Sequence, residues 1–181
     1  MDLIYRRLTE EEISPVLFSH FRRFQKVEKC WRKIEGVWVL KDISFVDDWD
    51  EADHRRVCGQ LRKVLAEGGA VWGAFSDGSL KGFSSVEARL IGSRKQYAVL
   101  AELHVSEDMR RRGLGRKLFM LAAESAWNFG AEKLYISAMS AEESQAFYRD
   151  MGCVEALEYD PYHVEREPCD VQMEYHKPVC D

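Results

Sequence analysis

The 181-residue sequence lacks the features of membrane, secreted and metal-binding proteins. No apolar run approaches the ~20 residues that a membrane-spanning helix needs, and the N-terminal residues MDLIYRRLTEEE lack the basic-then-apolar order of a signal peptide. The histidines form no H-x-x-x-H or H-E-x-x-H pattern. The cysteines are odd in number and have no C-x-x-C spacing, which argues against a disulfide framework or a zinc site. They are Cys30, Cys58, Cys153, Cys169 and Cys180. We therefore expect a cytoplasmic protein with reduced thiols and no metal.

An excess of positive charge is missing as well. The 31 acidic residues outnumber the 26 lysines and arginines, giving a net charge of -5, which argues against a general nucleic-acid binder. No linker, internal repeat or low-complexity segment interrupts the chain, and 181 residues suit one hydrophobic core. We expect a single domain over residues 1–181.

One strongly basic stretch stands out against this acidic background. Residues 97–105 alternate as a strand, residues 110–117 read RRRGLGRK, and apolar residues then recur at helical spacing until Gly130. Gly113 and Gly115 therefore lie at a helix N-terminus, where free backbone N–H groups and the helix dipole bind anions. Because glycine lets a ligand approach the backbone, the stretch predicts a binding site for a diphosphate cofactor.

Other phosphate-binding motifs do not match this spacing. A dinucleotide fingerprint would need a third glycine where Leu118 stands, and the P-loop pattern G-x-x-x-x-G-K-[ST] is absent. A solvated basic turn or a nucleic-acid patch is the remaining alternative.

The motif Arg110-x-x-Gly113-x-Gly115, after a strand that ends Leu-His-Val, resembles the acetyl-CoA loop of the GNAT superfamily of N-acetyltransferases. A second stretch, residues 140–153 (SAEESQAFYRDMGC), resembles the next helix of that family with its F-Y-x-x-x-G-F ending. The resemblance holds residue by residue over about 95–155 and is architectural elsewhere. It implies that acetyl-CoA (coenzyme A) is the cofactor.

The resemblance also implies which residues hold the cofactor. Loop amides wrap the pyrophosphate, and the preceding strand pairs with the pantetheine arm. The strand and loop residues are Leu103, His104, Val105, Arg110, Arg111, Arg112, Gly113, Leu114, Gly115, Arg116 and Lys117. The last helix would contribute Ser140, Ser144 and Tyr148, with Ala141 standing where many members have a pantetheine-binding asparagine.

Tyr148 is the candidate general acid, because the family carries a tyrosine at this position near the coenzyme sulfur. A phenol can donate a proton to a departing thiolate. The alternative is a packing role beside Phe147. In the family the acetyl thioester lies between the strand before the loop and the strand after its helix, here residues 101–105 and 136–139.

Glu102 and His104 are the candidate general bases, since both lie on one face of the strand and the acceptor amine must lose a proton before it attacks. Glu102 is favoured because a carboxylate also attracts the cation. The alternative for each is an ordinary cross-strand polar residue. Backbone N–H groups near Leu103 to Val105 are candidates to polarise the thioester oxygen.

An acidic, aromatic stretch suggests the acceptor site. Asp47, Asp48 and Trp49, together with Trp31 and Glu102, would offer aromatic surface and negative charge to a cationic amine. The acidic residues are explained equally well by the start of a helix, and Trp31 by a position in the core. Aminoglycoside-like antibiotics, polyamines and protein or peptide amines all remain open as acceptors.

The expected fold is α/β (α+β): the GNAT fold, a mixed, mostly antiparallel sheet flanked by helices in the order βα(α)βββαβαββ. The first strand spans 3–8, and a capping box of Thr9 and Glu12 predicts a helix to about residue 24. Further strands are expected at 37–46, 70–75, 80–91, 97–105, 133–139, 153–159 and 171–175, and a helix at 52–65. A box of Ser140 and Glu143 predicts the start of the last helix, and 161–168 reads as a loop.

The sequence therefore predicts an acetyl-CoA-dependent N-acetyltransferase that acts on a small, cationic amine by direct attack in a ternary complex. A non-catalytic acyl-CoA sensor or interaction module of the same fold, and a protein or peptide N-acetyltransferase, are the alternatives. We expect no nucleic-acid or membrane partner, and a homodimer stays open.

Overall fold

A seven-stranded sheet and a separate two-stranded hairpin make up the β-structure of this computed structural model, which describes residues 2–179. Cys180 thus lies outside the described residues, whereas the other four cysteines are free thiols. The strands are β1 (Leu3–Arg7), β2 (Phe24–Ile34), β3 (Val37–Asp48), β4 (Ala70–Ser76), β5 (Ser79–Ile91), β6 (Tyr97–Val105), β7 (Lys133–Ala138), β8 (Val154–Glu155) and β9 (Val171–His176). The helices are α1 (Glu51–Ala66), α2 (Leu114–Asn128), α3 (Glu142–Asp150) and α4 (Pro161–Arg166).

The sheet has the strand order β1-β4-β5-β6-β7-β9-β8 and is antiparallel except between β6 and β7. This arrangement confirms the predicted mixed sheet and the antiparallel meander of β4, β5 and β6. The crossover through α2 makes β7 parallel to β6, as a strand-helix-strand connection requires.

Helices α1 and α2 cover opposite faces of the sheet. Val71 belongs to a buried cluster with Leu61 of α1, whereas the indole of its neighbour Trp72 donates to Ser125 Oγ in α2 at 3.0 Å. Adjacent strand residues point to opposite faces, so the sheet lies between the two helices. The α2 side buries Phe119 and three alanines of the same helix without solvent exposure. None of the helices within residues 2–179 is long and apolar enough to span a membrane.

Strands β6 and β7 pair only over a short length. Tyr97–Val99 pairs with Lys133–Tyr135, and no further register is shared between them. The later parts of the two strands therefore separate, and a gap opens between them on the side of the glycine loop. This gap is the feature of the sheet that positions the candidate site.

The predicted helix from residue 9 to about 24 is wrong. The capping box does form, with Thr9 N donating to Glu12 Oε2 at 2.9 Å, but it closes only a 3₁₀ turn over Glu10–Glu12. Pro15, which lacks an N–H, opens a second short turn over Pro15–Phe18 instead of continuing the first. The chain then forms β2, which the prediction missed and which pairs with β3 from Phe24 opposite Asp48 to Ile34 opposite Val37.

Three predictions in the last quarter of the chain are also wrong. Ser140 does not cap α3, whose N-cap is Ala141, because strand β2 crosses here: Trp31 N donates to the Ser140 carbonyl at 2.8 Å. The Ser140 hydroxyl instead accepts from Arg32 Nη1 at 2.7 Å. The strand expected over 153–159 shrinks to β8, and the expected loop over 161–168 contains α4, capped by Asp160.

Candidate active site

Two cavities lie on either side of the gap between β6 and β7. The loop cavity, of about 990 Å³, is lined by the glycine loop, the start of β2 and helix α3. The sheet cavity, of about 640 Å³, is lined by residues of β5, β6, β7, α1 and α4. Five residues line both cavities: Arg23, Leu103, His104, Ser144 and Tyr148. A ligand in one cavity can therefore contact a ligand in the other.

The glycine loop leaves open space at the N-terminus of α2. Gly113 is the N-cap with φ 85°, and a Cβ built on it would meet no described atom within 4 Å. A Cβ on Gly115 would come to 3.4 Å from Phe147 Cε2, which is van der Waals contact, so the start of α2 lies directly against α3. The loop thus has the free backbone and open face that a phosphate group needs.

Charged residues of the loop divide between the cavity and the solvent. Arg110, Arg111 and Arg116 line the loop cavity, whereas Arg112 and Lys117 are exposed and lie outside its lining. The Arg110 Nε donates to the Val105 carbonyl at 3.3 Å, and burial lowers the pKa of its guanidinium. Three of the five predicted loop cations therefore line the loop cavity.

Helix α3 presents Ser144 and Tyr148 to both cavities, while Ser140 faces Arg32 and lies outside their lining. Burial is the largest cause that raises the pKa of the Tyr148 phenol well above its ordinary value, and the carboxylate of Glu102 adds to it. The phenol thus keeps its proton at neutral pH.

Glu102 and His104 do lie together, joined by a contact of 2.6 Å between His104 Nε2 and Glu102 Oε2. Arg23 Nε donates to the other ring nitrogen, His104 Nδ1, at 3.2 Å. Because a guanidinium only donates, Nδ1 must carry the lone pair and Nε2 the proton that Glu102 accepts. Both nitrogens of the His104 ring are therefore engaged.

Arg23, which the sequence did not identify, is 7% exposed and binds three side chains. Besides His104, its Nη2 donates to Gln25 Oε1 at 2.9 Å and pairs with Asp47 Oδ2 at 3.1 Å. Its Nη1 is buried and has no hydrogen-bond partner among residues 2–179. The guanidinium is thus fixed in place with one nitrogen to spare.

The wall of the sheet cavity is more acidic than basic, with six carboxylates against four lysines and arginines. Burial raises the pKa of Glu87 above its ordinary value and that of Asp170 to about 6. Ser137 Oγ donates to Asp170 at 3.1 Å, and no basic side chain of residues 2–179 lies within 4.0 Å of either carboxylate. Both acids are therefore free to bind a cation.

Of the predicted acceptor residues, Asp47, Trp49 and Glu102 line the sheet cavity. Asp48 is exposed and lies outside its lining, because successive residues of β3 point to opposite sides. The Arg149 guanidinium carbon lies over the Trp31 ring, 4.8 Å from the centre of that ring. Trp31 lines neither cavity.

No group of three or more His, Cys, Asp or Glu side chains within residues 2–179 is arranged to hold a metal ion.

Comparisons with known proteins agree with this architecture. The sequence matches none of the curated proteins. Among solved structures, nourseothricin acetyltransferase superposes with a TM-score of 0.68 at 18% identity, covering 98% of this chain and 100% of its own. A protein of Bacillus anthracis str. Ames assigned as a streptothricin acetyltransferase, solved with acetyl coenzyme A, gives 0.70 at 15% identity with the same coverage. The PaiA N-acetyltransferase of Thermoplasma acidophilum, solved with coenzyme A, gives 0.59 at 17% identity, covering 98% of this chain and 100% of its own.

The family match reaches across the glycine loop and helix α3. The sequence model described as the acetyltransferase (GNAT) family matches residues 25–153, well over half of the chain. This match confirms the family that Arg110, Gly113, Gly115 and Tyr148 had indicated. The chain therefore belongs to the acetyltransferase (GNAT) family: it is an N-acetyltransferase, and acetyl-CoA is its acyl donor.

Proposed function

We propose that the protein transfers the acetyl group of acetyl-CoA to the amine of a small, cationic acceptor by direct attack in a ternary complex. The observation that carries this proposal is the wall of five residues shared by a basic loop cavity and an acidic sheet cavity. With the two substrates side by side, the amine can reach the donor without an acyl-enzyme. Family membership argues against the non-catalytic alternative.

Bound acetyl-CoA supplies an activated thioester carbonyl. The residues that would hold its phosphates are Arg110, Arg111 and Arg116, together with the backbone N–H groups that follow Gly113. Ser144, whose side chain lines both cavities, would contact the part of the donor that passes between them.

Glu102 is the proposed general base. His104 has no free nitrogen lone pair, since Arg23 donates to Nδ1 and Nε2 carries a proton. Only the Oε2 atom of Glu102 is bound by His104, which leaves Oε1 for the amine proton. His104 then acts as a positioning residue that holds the Glu102 carboxylate at the wall of the sheet cavity.

Tyr148 is the proposed general acid. Its raised pKa keeps the phenol protonated, and a residue that lines both cavities would lie beside both substrates. A phenol that retains its proton at neutral pH can donate it when the coenzyme thiolate departs.

The acceptor is proposed to carry a second positive charge besides the reacting amine. Glu87 and Asp170 are the half-buried carboxylates of the sheet cavity that have no basic partner among residues 2–179, and a cationic group would satisfy them. Similarity of fold to proteins named as nourseothricin and streptothricin acetyltransferases supports a small-molecule acceptor over a peptide. The single domain, the cytoplasmic location and the open question of a homodimer stay predictions.

A panel of amines tests the proposal. Purified protein would be incubated with acetyl-CoA and with 1,4-diaminobutane, butylamine or a lysine-containing peptide, and thiol release would be followed with a thiol-reactive dye. We expect the diamine to have a kcat/KM at least about tenfold above that of the monoamine, because one well-placed ion pair in a dry site contributes about that much. Intersecting initial-velocity lines would support the ternary complex. A preference for the peptide, equal rates for diamine and monoamine, or parallel lines would contradict it.

A further inference from the structure

A chain of hydrogen bonds ends at Asp170 in the wall of the sheet cavity. The backbone N–H of Asp160 donates to the Tyr135 hydroxyl at 2.9 Å, and that hydroxyl donates to Gln172 Oε1. Gln172 Nε2 donates to Ser137 Oγ at 3.1 Å, and Ser137 Oγ donates to Asp170 Oδ2 at 3.1 Å. The hydrogen bonds therefore all run in one direction, from a backbone N–H to a carboxylate.

The sheet brings these side chains to one of its faces. Ser137 of β7 lies directly opposite Gln172 of β9, while Tyr135 and Asp170 stand two residues before them along the chain. Residues two apart along a strand point to the same side of a sheet. Ser137 and Asp170 line the sheet cavity, whereas Tyr135 and Gln172 are 0% and 2% exposed and are not part of its lining. The chain of hydrogen bonds thus reaches from the interior of the protein to the cavity.

The direction of the chain is fixed at its inner end. Burial raises the pKa of the Tyr135 phenol to about 12, so the phenol keeps its single hydrogen at neutral pH. The phenol oxygen accepts from the Asp160 N–H, and the phenol hydrogen points to Gln172 Oε1. The Gln172 amide then presents its NH₂ group to Ser137, whose own hydrogen is left for Asp170. Each link thus sets the orientation of the next.

We propose that Tyr135 and Gln172 are positioning residues of the acceptor site. Their hydrogen bonds turn the Ser137 hydrogen towards Asp170 and so present that carboxylate as an anion to the second cationic group of the acceptor. The proposal rests on the function proposed above, which assigns Asp170 to the acceptor. It extends the acceptor site to two side chains that line neither cavity.

The surroundings of Asp170 favour its neutral form, which the chain opposes. Burial is the largest influence on the Asp170 pKa and raises it to about 6, while the hydrogen bond at the end of the chain is the largest influence that lowers it. Glu167 raises this pKa further, Arg32 and His163 lower it, and Glu87 lines the same cavity. No basic side chain of residues 2–179 lies within 4.0 Å of the Asp170 carboxylate. A hydroxyl polarised by the bonds behind it therefore supplies stabilisation that no ion pair provides here.

Nuclear magnetic resonance of the free enzyme tests the chain without any substrate. Protein labelled with carbon-13 at the aspartate side-chain carboxyls would be titrated, with the Asp170 signal assigned from its loss in Asp170→Asn. Tyr135→Phe removes the phenol hydrogen, which leaves Ser137 free to donate to the Gln172 amide oxygen. The pKa of Asp170 should therefore rise by about one unit. Ser137→Ala should raise it in the same way, and adding Tyr135→Phe to Ser137→Ala should then have no further effect.

Tyr97→Phe is the matched control. Tyr97 is also a fully buried phenol, and its ring packs edge-to-face on Tyr135 with the ring centres 5.5 Å apart, but its hydroxyl donates to Glu174. Its removal should leave the pKa of Asp170 unchanged. If Tyr135→Phe does not show a cooperative thermal transition, Gln172→Met takes its place, because methionine has a similar size and removes the next link of the chain. The same rise of the Asp170 pKa is expected.

Substrate selectivity then measures the consequence for the acceptor. A rise of the Asp170 pKa from about 6 to about 7 lowers its ionised fraction at pH 6 from about one half to about one tenth. The ratio of kcat/KM for 1,4-diaminobutane to kcat/KM for butylamine should therefore fall about fivefold at pH 6 in Tyr135→Phe. At pH 8.5 the ratio should stay within about 1.5-fold of wild type, because Asp170 is then ionised in both proteins. A merely structural defect would not depend on pH in this way.

Three results would overturn the proposal. One is an Asp170 pKa that stays at its wild-type value in the folded variants, and another is a further rise when Tyr135→Phe is added to Ser137→Ala. The third is a loss of selectivity that has the same size at both pH values. The titration needs no amine, so the expected pKa pattern without acetylation of any amine would instead reject the proposed function, and not the hydrogen-bond chain.

Discussion

Replacing Asp170 by asparagine should stabilise the protein at neutral pH and weaken its binding of a cationic acceptor. Asp170 is partly buried in the wall of the sheet cavity, where its carboxylate accepts a hydrogen bond from Ser137 Oγ at 3.1 Å. Burial is the largest cause that raises the Asp170 pKa to about 6, and Glu167 raises it further. Asparagine keeps the shape of the side chain and can still accept from Ser137, but it carries no charge.

The size of the effect follows from the two pKa values of Asp170, about 6 in the folded protein and 3.8 as the reference value. Since the folded value is the higher one, Asp170 contributes stability that is fully present below about pH 4 and is lost as the pH rises through 6. At 1.36 kcal/mol per pKa unit the loss at pH 8 is up to about 3 kcal/mol. For a chain of this size that is a Tm difference of about 6–12 °C.

Urea unfolding at pH 4.5 and pH 8 measures this directly for the wild type, Asp170→Asn and the control Glu165→Gln, which removes an exposed carboxylate of the preceding helix α4. We expect Asp170→Asn to be the more stable protein at pH 8, with a gain that shrinks towards pH 4.5, while Glu165→Gln matches the wild type at both. The KM for a diamine at pH 8 should rise at least about tenfold in Asp170→Asn. Equal stability at pH 8, or the same gain at both pH values, would refute the reasoning from a buried charge.

Three further substitutions test the proposed chemistry. Tyr148→Phe should keep acetyl-CoA binding and lower the single-turnover rate by about 10²- to 10⁴-fold; a rate within about twofold of wild type would leave Tyr148 a packing residue. Gly113→Val should weaken acetyl-CoA binding measured by calorimetry, because φ is 85° and a branched side chain would fill the open face, so unchanged affinity would contradict the phosphate position. Glu102→Gln should lower kcat by a similar 10²- to 10⁴-fold with the acetyl-CoA KM unchanged, whereas a change confined to the amine KM would reduce Glu102 to a binding group.

The donor side of the site could be predicted from sequence because its signals are local. The strand, the glycine loop and the helix N-terminus follow one another within residues 97–129, and their order already sets the anion-binding geometry. The space around Gly113 leaves room for a ligand to approach the backbone, whereas a Cβ on Gly115 would reach Phe147 of α3. This short stretch of chain thus contains most of the sequence signals for the donor side of the site.

The acceptor side could be predicted only in part, because distant segments build it: Asp47, Trp49 and Glu102 were expected at the sheet cavity, whereas Glu87 and Asp170 were not. Arg23 was expected at the end of a helix. It instead directly precedes β2, and its carbonyl accepts a hydrogen bond at 3.0 Å from the backbone N–H of Trp49, which directly follows β3. The neighbouring Arg22 carbonyl accepts from Glu107 N at 2.9 Å, which ties this segment to the loop after β6. Residues 24–34 carry lysine, glutamate and arginine on the solvent side, so neither apolar periodicity nor a motif indicated the strand.

The family match covers only part of the proposed site. Residues 25–153 include the glycine loop, Glu102 and Tyr148, which are proposed to hold the donor and to move protons. Arg23 and Asp170 lie outside that range, one just before it and one after it, yet both line the sheet cavity. The family match therefore covers the residues proposed for acetyl transfer, while one carboxylate proposed for the acceptor, Asp170, lies in a segment that the match does not include. Substitution of Asp170 should accordingly change which amines react and leave the affinity for acetyl-CoA unchanged, and calorimetry with acetyl-CoA alone distinguishes the two effects.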